Sequence, residues 1–300
     1  MTAKCAVIGL GSMGLGMAKS LLQKGHAVSG ADLNANAVQA LGAMGGKGFA
    51  TAAEAARGAD ILVVVVVNAA QTDAVLFGPD GAASAMKAGG VIISSATMSP
   101  DDARRLAASA HALGLHYLDA PISGGAAKAA AGQLTIMASG TDAAFAVARP
   151  ALDAMAATVH ELGNEAGIGA AFKMVNQLLA GVHIAAACEA VTFAAQLGLE
   201  LPTVYKVITA SAGNSWMFEN RVPHILDGDY APRSAIDIFT KDLGIVSDMG
   251  RKEKFPLPVA ATALQMFLMT AAAGMGRDDD ASVARLIAQI TGVSLPPQKA

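Results

Sequence analysis

The chain of 300 residues is poor in charged and aromatic side chains. Asp, Glu, Lys and Arg make up 15% of it, aromatic residues make up 4%, and the formal net charge is −3. The sequence contains no basic block and no basic face interleaved with aromatic residues, which argues against nucleic acid as a partner. Apolar residues make up 53%, so we expect a large folded core and little disorder.

Cysteine and histidine are also scarce. The two cysteines, Cys5 and Cys188, lie far apart in apolar segments, so we expect both to be inert core thiols in a reducing cytoplasm. The six histidines form no i, i+4 pair and no cluster with cysteine, so the sequence predicts no metal site. A G-x-S-x-G nucleophile elbow and a P-loop are likewise missing.

Uninterrupted apolar runs long enough to cross a membrane are missing as well. Residues 1–4 lead directly into a strand pattern without an apolar leader or cleavage site, so we expect no signal peptide. The longest strongly apolar run, residues 61–67, is too short to cross a bilayer. The apolar stretch 178–199 contains polar residues such as Glu189, which indicates a buried helix of a soluble protein. These features predict a cytoplasmic protein without a membrane partner.

A glycine-rich motif lies between two strand patterns near the start of the chain. After an apolar strand pattern, residues 9–14 read G-L-G-S-M-G, and a helix pattern follows. Gly9 permits a tight turn, Gly11 lets the backbone approach a pyrophosphate, and Gly14 lets the helix pack close to the strand. The start of the helix offers N–H groups and partial positive charge to phosphates. We therefore assign a dinucleotide site to Gly9, Leu10, Gly11, Ser12, Met13 and Gly14.

An acidic residue after the second strand pattern bears on which dinucleotide binds. Asp32 lies where a carboxylate accepts both hydroxyls of an adenine ribose. A carboxylate there repels the 2′-phosphate of NADP, and Leu33 and Asn34 supply no arginine to neutralise one. We therefore predict NAD as the cofactor.

The first half of the chain alternates between strand and helix patterns. The strand patterns are residues 5–8, 27–31, 61–67, 91–94 and 116–119, with a further pair at 134–139 and 159–162. The helix patterns are residues 14–24, 35–43, 52–57, 72–76 and 100–113. This alternation predicts an α/β fold with a doubly wound parallel sheet and helices on both faces.

From about residue 167 onward the strand patterns stop. Helix patterns occupy residues 169–197, 201–211, 222–228, 236–252, 258–273 and 281–292. We expect an NAD-binding domain over residues 1–164 and an all-helical substrate and oligomerisation domain over residues 165–300, opening with a helix of about eight turns. The apolar surface of the second half predicts a homo-oligomer, either a dimer or a tetramer.

Loops that follow parallel strands should face one crevice, because ligands of open α/β sheets bind beyond the carboxyl ends of the strands. Two residues in such loops, Asn68 and Thr97, are therefore added to the predicted cofactor site. After the strand at 116–119, the loop offers the Ser123 hydroxyl and the N–H groups of Gly124 and Gly125, which suit a carboxylate. An ordinary Ser-Gly-Gly loop is the alternative interpretation of that segment.

The long helix opens with a lysine among apolar neighbours. Lys173 and Asn176 are three residues apart and share a helical face. Burial disfavours the ammonium form of a lysine, and the neutral amine can exchange a proton with a substrate hydroxyl. The alternative is a lysine that reaches the surface. Lys241 lies in a second apolar helix, where it could reach the cofactor or substrate, or could pair at the surface with Asp242.

In chain order, these motifs resemble those of the β-hydroxyacid dehydrogenase family, the group of 3-hydroxyisobutyrate dehydrogenase and tartronate semialdehyde reductase. The matching segments are G-L-G-S-M-G at 9–14, D-A-P-I-S-G-G at 119–125, the glycine-led helix with its lysine and asparagine, and K-D-L at 241–243. Ile122 stands where valine is usual. The resemblance implies a Rossmann domain followed by a helical domain, and a small hydroxy acid as substrate. It implies proton transfer by Lys173, orientation of the site by Asn176, a carboxylate cradle of Ser123, Gly124 and Gly125, and cofactor contacts by Thr97 and Lys241.

Within the family, the second half of the chain resembles the L-threonate dehydrogenase branch most. The supporting segments are 176–184 and 211–221, and the polar residues Asn214, Ser215 and Arg221 would suit a polyhydroxylated acid. This resemblance implies NAD-dependent oxidation of L-threonate at C2 to 2-dehydro-L-erythronate. The alternatives are a 3-hydroxyisobutyrate dehydrogenase, a tartronate semialdehyde reductase, and a non-catalytic module that senses dinucleotides.

Overall fold

The computed structural model describes residues 2–299, and the chain divides into two compact units. The first unit ends at Lys173 and the second begins at Met174. This boundary lies later than the predicted one between residues 164 and 165. The long helix of residues Ile168–Gln196 therefore contributes its first turns to the first unit.

A six-stranded parallel sheet forms the centre of the first unit. Its strands are β1 Lys4–Ile8, β2 Ala27–Ala31, β3 Lys47–Phe49, β4 Ile61–Val64, β5 Val91–Ser94 and β6 His116–Asp119. Their order is β3-β2-β1-β4-β5-β6, and each neighbouring pair is parallel. The order reverses between β1 and β4, where ligands of doubly wound folds bind. The predicted parallel α/β sheet is confirmed.

Two strands differ from the sequence-based expectation. β3 has only three residues, too few to show a periodic pattern in the sequence. β4 ends at Val64 rather than at residue 67, because the residues paired with Val64 are Ile8 and Ser94, the last residues of β1 and β5. The Val65 N–H still donates a hydrogen bond to the Ile8 carbonyl oxygen, and the residues after it lead out of the sheet.

Seven helices connect the strands of the first unit. They are α1 Ser12–Gln23, α2 Ala35–Ala43, α3 Ala52–Ala56, α4 Ala69–Phe77, α5 Pro100–Ala112, α6 Gly125–Ala130 and α7 Asp142–Met155. The sequence patterns do not predict α6 and α7. Pro150 lies inside α7, and proline is a signal against a helix interior. α7 begins where the Thr141 hydroxyl accepts a hydrogen bond from the Ala144 N–H.

A small second sheet extends the first unit. It contains β7 Ile122–Ser123, β8 Leu134–Ala138 and β9 Ala156–Glu161. β7 is antiparallel to β8, and β8 is parallel to β9. The strand pair expected at 134–139 and 159–162 is thus present, with its second strand starting earlier. An isolated bridge between Asp119 and Ser139 joins the ends of β6 and β8.

Apolar side chains cover both faces of the parallel sheet. Along β1, Cys5 and Val7 belong to one buried cluster, and Ala6 and Ile8 belong to another. This alternation is what a strand covered by helices on both faces requires. Burial raises the pKa of the Cys5 thiol to about 12, so this cysteine is an inert core residue, as expected.

Helices make up the second unit. After α8 Ile168–Gln196 come α9 Leu201–Thr209, α10 Trp216–Leu226, α11 Ile236–Lys252, α12 Pro258–Thr270 and α13 Val283–Thr291. Residues 174–299 contain no strand and one isolated bridge, between Ala235 and Asp279. Phe239 stacks on Phe267 in the core, with ring centroids 5.1 Å apart. The predicted helical second half is confirmed.

Two helical stretches are long and apolar enough to cross a membrane by length and composition alone, Ile168–Gln196 and Pro258–Met275. In their most apolar windows, 50% and 28% of the residues are buried within the protein. A core helix of a globular protein meets the same criterion. The stretches do not by themselves indicate a membrane span.

Candidate active site

The glycine-rich turn connects β1 to α1 at the carboxyl edge of the parallel sheet. Gly9 has a φ of +90°, and a Cβ at this position would overlap the Val65 carbonyl oxygen. A Cβ at Gly14 would overlap the Gly9 carbonyl oxygen, whereas a Cβ at Gly11 would meet nothing within 4 Å. The first and third glycines therefore have no room for a side chain, whereas the backbone at the second is open to solvent or a ligand.

The start of α1 is suited to an anionic group. Its N-cap is Gly11, without a side-chain hydrogen bond to the first turn, and the first turn contains no acidic residue. Gly11 and Ser12 are exposed and Met13 is half-buried, whereas the Leu10 side chain is buried. Leu10 can therefore reach a ligand only through its backbone. An open turn and uncapped helical N–H groups fit the pyrophosphate of a dinucleotide.

Asp32 lies against this turn. One carboxylate oxygen accepts a hydrogen bond from the Leu10 N–H at 2.6 Å, and the other accepts one from the Asn34 N–H at 2.7 Å. Each oxygen has a second lone pair with which it can accept a further hydrogen bond. The structure thus brings the predicted ribose-binding carboxylate to the glycine-rich turn and holds it in one orientation.

Asn68 and Thr97 follow β4 and β5 at the same edge of the sheet, since both strands run parallel to β1. The Asn68 side chain accepts a hydrogen bond from the Gln71 N–H at 2.9 Å and so caps α4. Asn68 therefore has a structural task besides the predicted cofactor contact. Thr97 is half-buried in the loop after β5.

A cavity of about 510 Å³ lies at the opposite edge of the sheet. Its lining includes Lys4, Ala27 and Lys47, the first residues of β1, β2 and β3. These three strands are parallel, so the cavity is at their amino ends, away from the glycine-rich turn. It is not part of the candidate site.

The loop predicted to hold a carboxylate begins at the end of β7. Ser123 is the last residue of this strand and is half-buried. Gly124 and Gly125 have φ values of +133° and +77°, which favour glycine at both positions. The two glycines turn the backbone into α6, whose N-cap, Gly124, has no side-chain hydrogen bond. The backbone therefore departs from extended geometry at the two residues predicted to supply the N–H donors.

The start of α8 is fastened to the ends of β6 and β8. A single Asp119 carboxylate oxygen accepts hydrogen bonds from the Gly167 and Ala170 N–H groups, each at 2.8 Å. The Ser139 hydroxyl oxygen accepts one from the Gly169 N–H at 2.9 Å. Burial raises the pKa of Asp119 to about 6, although these backbone hydrogen bonds act to lower it. These ties explain why the first turns of α8 belong to the first unit.

This anchored helical turn carries Lys173. The side chain is only 8% exposed, and its Nζ donates a hydrogen bond to the Ile122 carbonyl oxygen at 2.8 Å. Ile122 immediately precedes Ser123, so the lysine amine lies at the loop predicted to bind the substrate carboxylate. The alternative of a surface lysine is wrong.

Asn176 and Lys241 are connected within the second unit by two buried residues. The Asn176 Nδ2 donates to the Gln177 Oε1 at 3.0 Å, and the Gln177 Nε2 donates to an Asp242 carboxylate oxygen at 2.5 Å. The other Asp242 oxygen pairs with the Lys241 Nζ at 2.6 Å. Asp242 is 1% exposed, so the alternative of a surface pair is wrong: the pair exists, but its carboxylate is buried.

Sequence reasoning missed Gln177, although a signal was present. Gln177 is four residues beyond Lys173 and therefore lies on the same helical face, one turn later. It is also 8% exposed, and a buried carboxamide must have hydrogen-bond partners.

The polar residues that favoured a polyhydroxylated substrate serve local structure. Asn214 donates to a Glu219 carboxylate oxygen, and the Ser215 hydroxyl caps α10. Arg221 is buried and forms an ion pair with Asp280. The geometry therefore lends no support to that part of the argument for a sugar-acid substrate.

No group of three or more His, Cys, Asp and Glu residues that could hold a metal ion occurs within residues 2–299.

Comparisons with known proteins agree with this architecture. The family model for the NAD-binding domain of 6-phosphogluconate dehydrogenase matches residues 4–163. The model described as NAD-binding of NADP-dependent 3-hydroxyisobutyrate dehydrogenase matches residues 167–287.

Full-length relatives are also similar. The L-threonate dehydrogenase of Cupriavidus necator is 50% identical over 99% of this chain and 99% of its own length. That of Escherichia coli K12 is 48% identical over 98% of this chain and 96% of its own. A crystal structure of a 3-hydroxyisobutyrate dehydrogenase from Salmonella typhimurium has a TM-score of 0.91 and 51% identity, and the match covers 95% of this chain and 99% of that one.

Proposed function

The chain belongs to the β-hydroxyacid dehydrogenase family of oxidoreductases, and we propose that it is an NAD-dependent L-threonate dehydrogenase that oxidises the C2 hydroxyl of its substrate to a ketone. The relatives that bear this name align along almost the whole chain at about half identity. The observation that carries the chemistry is the buried Lys173 amine, held at the carbonyl of Ile122 beside Ser123.

NAD would be held by the glycine-rich turn of residues 9–14, the start of α1 and the Asp32 carboxylate. Asn68 and Thr97 of the first unit add to the proposed cofactor site, and the family resemblance assigns a further cofactor contact to Lys241. When bound, NAD supplies the acceptor for the hydride that leaves the carbinol carbon. One matching family model is described as NADP-dependent, but a carboxylate in the position of Asp32 repels a 2′-phosphate. The preference for NAD therefore rests on Asp32.

The substrate carboxylate would be bound by the Ser123 hydroxyl and the N–H groups of Gly124 and Gly125. The positive φ values of both glycines turn their amides out of the strand direction, and successive N–H groups of this kind form anion-binding concavities. A carboxylate bound here would lie next to the Lys173 amine, because Ile122 O is the hydrogen-bond acceptor of that amine.

Lys173 would act as the general base. A neutral lysine amine can donate one N–H to Ile122 O and still keep its lone pair, with which it takes the proton of the substrate hydroxyl. In the reverse direction the same group returns the proton. Asn176, one helical turn away on the same face of α8, would orient the substrate.

The test is a substrate panel with purified protein and NAD, followed by NADH absorbance. L-Threonate should give the highest kcat/KM. Because the Salmonella structure is described as a 3-hydroxyisobutyrate dehydrogenase, 3-hydroxyisobutyrate is the first competitor, and tartronate semialdehyde with NADH tests the reductase alternative. A higher kcat/KM for either competitor would overturn the substrate assignment. NAD binding without turnover of any hydroxy acid would point to the sensor alternative.

We also propose that the protein is soluble, cytoplasmic and homo-oligomeric. Large apolar side chains are exposed on the helices of the second unit, among them Phe193 at 62%, Val207 at 55% and Ile290 at 69%. Exposed apolar residues in such number are typical of an oligomeric interface. Light scattering should give a mass of two or four chains.

A further inference from the structure

The polar side chains that connect α8 and α11 can be hydrogen-bonded in one direction only. The chain of contacts runs from Lys241 through Asp242 and Gln177 to Asn176. An ionised carboxylate accepts hydrogen bonds and donates none, whereas a carboxamide has a donor end and an acceptor end. Paired with the Lys241 ammonium, the Asp242 carboxylate therefore sets the direction for the rest of the chain.

This direction propagates through Gln177. Its Nε2 must face Asp242, because the opposite orientation would place a carbonyl oxygen against a carboxylate in a buried site. Its Oε1 then faces Asn176, and only the Nδ2 end of Asn176 can donate to it. The Asn176 amide is thereby fixed with Nδ2 toward Gln177 and with Oδ1 on the other side.

We propose that Asp242 and Gln177 are positioning residues that act as a relay, presenting the Asn176 Oδ1 to the substrate as a hydrogen-bond acceptor for one of its hydroxyls. The identity of the group that Asn176 meets rests on the proposed function. The direction of the relay rests on the contacts within the second unit alone.

The relay has a consequence for the substrate class. An acceptor fixed in this way pairs with a substrate hydroxyl. If the ligand has no hydroxyl at that position, the Asn176 carbonyl oxygen is left unpaired. It disfavours a substrate oxygen that only accepts, such as a carboxylate oxygen. The site therefore selects hydroxylated acids through Asn176. Asp242 determines that the acceptor end of the Asn176 amide, rather than the donor end, faces the substrate.

The first test variant is Gln177→Glu. Each of the two facing carboxyl groups, the introduced one and that of Asp242, disfavours ionisation of the other, so they share a proton until the pH is high enough to ionise both. The relay is then interrupted. Once protonated, the introduced side chain donates its hydroxyl to Asp242 and accepts from Asn176, which is the direction that Gln177 has. The ratio of variant to wild-type kcat/KM should therefore rise at least about tenfold as the pH is lowered through the range in which the introduced group takes up its proton.

The second variant is Asp242→Asn, and the third combines both substitutions. The introduced carboxamide at position 242 can donate to Gln177, which lets Gln177 and Asn176 reverse, so the single variant should lose activity at every pH. In the double variant the carboxylate sits at position 177 and accepts both from the new carboxamide and from Asn176. Relative to the wild type, the kcat/KM of the double variant should exceed the product of the two single-variant ratios by at least about tenfold. The ratio of double-variant to wild-type kcat/KM should not depend on pH.

A matched control is Asp248→Asn. Asp248 lies on the same helix as Asp242, but its side chain is 70% exposed and pairs with Arg251 at the surface. This substitution should leave kcat/KM and its pH profile unchanged. NAD affinity is measured for every variant, because Lys241 is a proposed cofactor contact and loses its carboxylate partner in Asp242→Asn.

Thermal unfolding midpoints of the same variants separate this inference from the proposed function. If the wild type turns over no hydroxy acid, the proposed function fails, but the midpoints still test the relay. The unfolding midpoint of Gln177→Glu should approach that of the wild type as the pH is lowered. The midpoint of the double variant should be higher than the sum of the two single decreases predicts. If Gln177→Glu does not fold at neutral pH, the test is the comparison of Asp242→Asn with the double variant, which should be the more active and the more stable of the two if the relay is correct. Additive midpoints together with a pH-independent Gln177→Glu ratio would overturn the relay.

Discussion

Replacing Lys173 tests the proton-transfer step most directly. Lys173→Met removes the titrating amine at similar length, and Lys173→Arg keeps a donor for the Ile122 carbonyl but cannot lose its proton near neutral pH. General acid–base catalysis contributes roughly two to four powers of ten in rate. We therefore expect kcat with L-threonate to fall by about 10²- to 10⁴-fold in both variants.

The structure also gives the expected cost to stability. In Lys173→Met the buried Ile122 carbonyl loses the amine that is now 2.8 Å away, and an unpaired buried acceptor costs about 1–3 kcal/mol. Relief from burying an amine offsets part of this cost, so the variant should fold. Lys173→Arg retains a donor, which separates the loss of the hydrogen bond from the loss of the base.

The assay is the initial rate of NADH formation at saturating substrate, with NAD affinity measured separately by titration. NAD affinity should be unchanged, because Lys173 is not among the proposed dinucleotide contacts. The matched control is Lys206→Met, an exposed lysine on α9, which should retain wild-type kcat. A Lys173 variant that keeps kcat within about tenfold of the wild type would refute the general-base assignment.

Four further substitutions have defined outcomes. Asp32→Asn should lower the ratio of NAD to NADP affinity at least about tenfold, since hydrogen bonds to a charged group contribute about 1.5–3 kcal/mol; an unchanged ratio in binding titrations would contradict the ribose role. Gly14→Ala should abolish NAD binding or folding, because its Cβ would overlap the Gly9 carbonyl oxygen, and circular dichroism distinguishes the two. Because burial raises the pKa of Asp119 to about 6 from 3.8, the folded state binds its proton more tightly than the unfolded state, so the stability that this group contributes is lost as the pH rises from about 4 to 6. Denaturant unfolding should show a smaller slope in Asp119→Asn than in the wild type, because Asp280, whose pKa burial also raises to about 6, still contributes in the variant. Phe193→Glu should shift the mass measured by light scattering toward a single chain, and an unchanged oligomer would place the interface elsewhere.

The local sequence pattern was sufficient to predict much of the fold, because helices, strands and tight turns depend mainly on residues that are close in sequence. The apolar run that became β4 and the glycine spacing at 9–14 predict a parallel sheet with a phosphate-binding turn, and residues 236–252 are helical as expected. Local pattern failed where local preference is weak or contrary. β3 is only three residues long, and α7 contains Pro150, so each owes its structure to packing against its neighbours.

The amino-acid sequence by itself determined which chemical groups are present and their spacing: the glycines of the turn, the acid after the second strand, and a lysine and an asparagine one helical turn apart. The tertiary structure alone decided the environment of these groups. It buried Lys173 against a carbonyl from β7, and it joined Gln177 to Asp242, sixty-five residues later in the chain. The physical reason is that spacing along a helix or strand follows from backbone geometry, whereas burial and hydrogen-bond direction depend on residues that are distant in sequence.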